Sequence, residues 1–165
     1  MREDIDQAVL LKTIVDFISD KGIVVEEAGI EGESFFPGIR ISGGRLLIDR
    51  RKIIHPGDLL HEAGHIAVVP AAERSSLHDN ITHERPGSKG EEMIVMLWTW
   101  AACKELNLAP TVVFHGEGYK GESQWIINEY EKENYIGLPL AVWMGLTKYA
   151  SEPGGFPAMV KWLRD

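Results

Sequence analysis

The chain has a single cysteine, Cys103, in 165 residues. One thiol excludes any internal disulfide and points to a reducing compartment, the cytoplasm. Positive charge is also scarce: 17 Lys and Arg stand against 25 Asp and Glu, a net charge of −8. Such a chain lacks the basic footprint that a phosphate backbone requires, so no nucleic-acid partner is expected. Long apolar runs are missing too. The most apolar stretch, Met93 to Cys103, covers 11 residues, well short of the roughly 20 that span a bilayer, so no membrane partner is expected. The N-terminus carries Glu3, Asp4 and Asp6 where a secretory signal would need a positive flank before an apolar stretch. No repeat, low-complexity tract or linker divides the chain. With 44% apolar residues, its length fits one compact domain, 1–165.

What is present changes character near His55. Leu10, Leu11, Ile14, Phe17 and Ile18 recur at helical spacing, and Asp20-Lys21-Gly22 stops that helix. Ile23-Val24-Val25 reads as a short strand over 22–28, and Gly38–Ile41 and Arg45–Asp49 read as two strands around Ser42-Gly43-Gly44. After His55 the pattern is helical. Pro56-Gly57-Asp58 starts a helix, with Asp58 placed to accept bonds from its first free N–H groups, and Pro70 ends it near Val68 or Val69. Residues 70–88 lack periodicity and read as a long loop. A helix that is apolar almost all round follows over 89–106, which puts it in the core. Val112-Val113-Phe114 reads as a strand or extended chain, and further helices are expected over 122–131, 139–150 and 157–163. The expected fold class is α+β: a small antiparallel sheet with an N-terminal helix, a helix pair carrying the site, and a helical C-terminal third. The five tryptophans, at 98, 100, 125, 143 and 162, fall on apolar helical patterns and read as core. Cys103 reads as a buried, inert thiol.

One motif carries chemistry. His61-Glu62-Ala63-Gly64-His65 has the H-E-x-x-H spacing that puts two imidazoles one turn apart on one helix face, able to grip one ion. Glu62, between them, is placed to take a proton from an activated water. A catalytic zinc wants a third protein ligand and an open position. Val68 and Ala71 occupy the places where a longer H-E-x-x-H-x-x-G-x-x-H pattern would need Gly and His, so the ligand must come from elsewhere. Glu91 and Glu92 open the apolar second helix. Glu92 shares a face with the smaller Val95, Thr99 and Cys103 and is preferred, with Glu91 as the alternative. The metal set is therefore His61, His65 and Glu92, the cofactor Zn2+ and the general base Glu62. His78, His83, His115 and Tyr119 are candidates to steady an oxyanion, and spacing does not choose among them. His55 is expected to orient or cap the helix. The Arg45–Asp49 strand is a candidate edge for pairing with an extended peptide.

These motifs, with a small preceding sheet and an N-terminal helix, resemble the gluzincin metallopeptidases, and within them the ImmA/IrrE-like family. The resemblance covers about residues 5–108. It implies a thermolysin-like helix pair and a zinc-dependent peptidase acting on a peptide or protein substrate, with His61, His65 and Glu92 at the ligand positions and Glu62 as base. The chain has Val95 and Thr99 where that family has alanines after its glutamate, and no space for the helix-turn-helix some relatives carry. The alternative is a metal-binding regulatory or toxin-like module without general peptidase activity. No motif bears on oligomeric state.

Overall fold

The structure is a computed structural model and describes residues 2–79 and 88–165. It is a mixed α+β fold. Helix α1 spans Arg2–Asp20 and ends at Gly22, whose φ of +97° is open to a residue without a Cβ. Its apolar stripe, with Leu11, Ile14, Phe17 and Ile18 buried, packs on the sheet and on the next helix. Ile14 and Ile18 are fully buried, and each such side chain stabilises the fold by roughly 1.5–3 kcal/mol.

Three strands follow: β1 (Val25–Glu27), β2 (Ile39–Ser42) and β3 (Arg45–Ile48). β2 and β3 form the expected antiparallel hairpin, with Ile41 opposite Leu46. β1 differs from expectation by joining parallel to β3, Val25 opposite Leu46. The order β1-β3-β2 puts β3 in the middle. Its residues alternate into the core, Leu46 and Ile48 buried, and both of its edges are paired.

Helix α2 (Asp58–Ala67) is buried along its whole length. Two glycines permit this. A Cβ on Gly57 would stand 1.9 Å from the Val112 carbonyl, and one on Gly64 would stand 2.9 Å from Val95 Cγ1. The last carbonyls of α2, unpaired within any helix, are met from outside. Arg74 Nε donates to Ile66 O, and the Arg164 backbone N–H and guanidinium donate to Ala67 O and Val68 O. These cations also suit the negative end of the helix dipole.

A 3-10 turn at Ala71–Ser76 occupies part of the stretch expected as loop. Helix α3 (Ser88–Glu105) then lies against α2, with Val95, Leu97, Trp98, Trp100, Ala101, Ala102 and Cys103 buried. Residues 110–114 are not a strand. Pro110–Val112 is a 3-10 turn, because Pro110 fixes its own φ and its carbonyl closes bonds from Val113 and Phe114. A further 3-10 turn at Tyr119–Gly121 leads into α4 (Ser123–Glu131).

The C-terminal third is less helical than its prolines suggest. Helix α5 is only Leu138–Trp143, and 157–163 forms no helix. There the chain satisfies its backbone at long range: Val160 and Lys161 N–H donate to Leu146 O, and Thr147 bridges Met159. Trp162 O accepts from Trp98 Nε1 at 2.9 Å, and the two indoles join Phe17 in an edge-to-face cluster. Trp98 and Trp100 are core and Trp162 half-buried, but Trp125 and Trp143 are exposed, contrary to the reading of all five as core. Among the described residues no helix is long and apolar enough to cross a membrane.

Candidate metal centre

α2 presents His61 and His65 on one face, with ring centroids 5.0 Å apart and Nε2 atoms 3.2 Å apart. From α3, Glu92 reaches both: Oε1 lies 3.1 Å from His61 Nε2 and Oε2 lies 2.9 Å from His65 Nε2. Glu91 is not part of this group. Among the described residues, His61, His65 and Glu92 are the one set of three whose donor atoms gather closely enough to hold an ion. Four ligands at the 2.0–2.1 Å bond lengths of a tetrahedral zinc stand about 3.3 Å apart, close to the 2.9–3.2 Å separations seen here. The donor set thus fits a divalent cation in size and in chemistry, two imidazoles and one carboxylate.

The surroundings hold these groups in ligating form. Burial lowers the His65 pKa and so favours the neutral ring, against the opposing pull of Glu92. Burial alone would raise the Glu92 pKa, but hydrogen bonds and charge from His61 and His65 outweigh it and hold the carboxylate far below its usual range. Glu62 is fully buried beside them, where its charge favours protonation of His65.

A cavity of about 260 Å³ opens onto His61 and Glu92. Phe35 and Phe36 form one wall, the Phe36 ring 5.6 Å from that of His61. His115, Glu117, Tyr119 and Lys120 form the other. Asp79 fixes the phenylalanine wall: its carboxylate accepts from Phe35 N at 2.8 Å and from Ile41 N at 3.2 Å.

The structure sorts the remaining candidates. Tyr119 lies over the site with its hydroxyl 2.7 Å from His61 Nδ1. Burial, and then the Glu92 and Asp58 carboxylates, push its pKa well above the ordinary phenol range, so the hydroxyl keeps its proton. His115 also lines the cavity, but its Nε2 is engaged by Asp58 Oδ1 at 2.8 Å and its Nδ1 is buried. His78 sits away from the cavity, its Nδ1 facing Gly43 N. His83 lies outside the described residues.

Asp58 does not cap α2 through its side chain. The first free N–H groups are met by backbone carbonyls instead, Asp58 N by His55 O and Leu59 N by Pro56 O. Burial raises the Asp58 pKa, and His115 pulls it back. His55 does help to start the helix, through that carbonyl. Its ring stacks on His115 at 3.7 Å and its Nε2 lies 2.7 Å from Glu117 Oε2. The Asp58–His115 and His55–Glu117 pairs escaped the sequence reading. Asp58 precedes His61 by three residues and so shares its face, and that spacing was the available signal.

The reading of Arg45–Asp49 as a peptide-pairing edge is overturned, because β3 is central. The exposed edge of β2 is occupied as well: Ile39 N donates to Phe36 O and Ile41 N to Asp79. Cys103 is fully buried, and burial pushes its thiol pKa up to about 12, which leaves it protonated and inert at neutral pH.

No protein-family model, curated protein or solved structure matches the chain.

Proposed function

We propose that the chain is a zinc-dependent hydrolase of the gluzincin kind, a metallopeptidase acting in the cytoplasm on a peptide or protein substrate. The observation that carries this reading is the gathering of His61, His65 and Glu92 donor atoms from two packed helices, with the buried Glu62 carboxylate one residue from the first ligand. His61, His65 and Glu92 would hold the ion and leave a fourth position open. When bound, zinc supplies a Lewis acid and lowers the pKa of a water to about 7. Glu62 takes the proton released as water attacks the scissile carbonyl and returns it to the leaving amine. The cavity is smaller than the roughly 300–1,000 Å³ clefts that enclose drug-sized ligands, so it suits one side chain and its peptide group. The Phe35–Phe36 wall favours an apolar side chain there. With β3 central and the β2 edge occupied, such a substrate is held by side-chain contacts rather than by strand pairing.

The test is zinc content and cleavage of a fluorescently labelled, unfolded casein. Wild type is expected to bind one zinc and cleave. Glu62→Gln is expected to keep the zinc and lose cleavage by about 10²–10⁴-fold, the usual worth of a general base. Full activity in Glu62→Gln removes the base assignment, and a wild type that takes up no metal removes the whole reading.

A further inference from the structure

The Tyr119 hydroxyl is 2.7 Å from His61 Nδ1, on the far side of the ring from Glu92 and His65. The direction of this bond follows from the other end of the ring. His61 Nε2 is the atom that faces Glu92 and His65, and a nitrogen that ligates an ion must offer its lone pair. The proton of the neutral ring then sits on Nδ1, and the Tyr119 oxygen accepts it.

The chain goes to some length to put this hydroxyl in place. Tyr119 and the following Lys120 both have φ of +54°, a left-handed conformation that residues with a side chain adopt rarely and at a cost in energy. The loop that bears them is tied down at several points. His115 pairs with Asp58, Glu117 with His55, and Ser123 Oγ donates to His115 O at 2.7 Å. The Tyr119 ring packs 5.1 Å from that of Phe114.

We propose that Tyr119 is a positioning residue of the metal centre: its hydroxyl accepts the Nδ1 proton of His61, fixing the ring's tautomer and angle so that Nε2 is presented to the ion. The proposal rests on the reading that His61, His65 and Glu92 bind a divalent cation. It assigns to Tyr119 the part that a carboxylate or backbone carbonyl often plays behind a metal-bound histidine, and it removes Tyr119 from the oxyanion candidates.

Zinc titration against a competing chelator and 1H–15N NMR of the histidine side chains test it on the full chain. Tyr119→Phe, which keeps the ring, is expected to bind zinc about 10–100-fold more weakly than wild type. In the zinc-loaded wild type the His61 Nδ1 proton is expected to be visible and protected from exchange, and in the variant that signal is expected to be lost. Wild-type affinity together with a retained Nδ1 signal in Tyr119→Phe overturns the proposal while leaving the metal reading intact. A wild type that binds no zinc overturns both. If Tyr119→Phe does not fold, the zinc-loaded wild type decides alone: a protected His61 Nδ1 proton supports the proposal, and an Nδ1 without a proton, or one that exchanges freely with water, overturns it.

Discussion

His61 is approached from two sides that are built in opposite ways. On one side, α2 and α3 meet at Gly64, Val95 and Trp98, all inside the core and held by apolar contact. On the other, residues 115–121 reach it through a strained, partly exposed turn held by paired histidines and acids. Packed helices fix where ligand atoms stand, because a dense core permits few alternative arrangements. A polar loop fixes how a ring is turned, because hydrogen bonds are directional. Damage to the first side should therefore cost metal and stability together, whereas damage to the second should change the behaviour of the site in a protein that still folds.

The sharpest contrast comes from Glu92→Ala. It removes a donor from the packed side without disturbing the Tyr119 turn, and zinc affinity should fall by more than the roughly 10–100-fold typical of groups behind a ligand. Calorimetric zinc titration measures this, and near-normal affinity would move the third ligand elsewhere. Gly64→Ala comes next. Its new methyl would meet Val95 Cγ1 at 2.9 Å and Trp98 Cε3 at 3.5 Å, an overpacking expected to cost about 1–3 kcal/mol. Urea unfolding should show the loss, with zinc binding weakened as α3 is pushed away. An unchanged midpoint would mean that the helix contact yields more easily than its packing implies. The smallest effect belongs to Glu117→Gln on the loop side. Its carboxylate is three-quarters exposed, and water and salt screen such pairs, so the unfolding midpoint should stay within error. A clear loss of stability there would erase the distinction between the two sides.

The same contrast explains what could be read from the residues alone. The helix pair was legible because its information is local: a four-residue spacing of histidines, a proline stop, an apolar run and a carboxylate on the face with the small residues. The preference for Glu92 over Glu91 came from that periodicity, and it is Glu92 that joins the histidines in space. The three strands were legible as segments. Their order was not, because nothing within a strand says whether it will be central, and β3 became so only when β1 joined it in parallel. The C-terminal third was misread where proline suggested helix starts. In 157–163 the competing bonds come from Leu146 and Trp98, far away in sequence, and long-range partners outweighed local propensity. The exposed Trp125 and Trp143 show the limit of apolar pattern as a guide to burial. The turn carrying Tyr119 was legible only as a glycine-rich stretch. Its left-handed residues are Tyr119 and Lys120 as well as Gly121, so no pattern of glycines announced them.

Asp79 has a consequence beyond the wall it steadies. By covering the outward amide of Ile41, with Phe36 covering that of Ile39, it leaves that flank of the sheet no free amide on which a neighbouring molecule could grow. The opposite flank, β1, is only three residues long and carries Glu26 and Glu27, each ion-paired. Short, charged or covered margins are how small sheets avoid stacking into fibres, so this one should stay dispersed in concentrated solution.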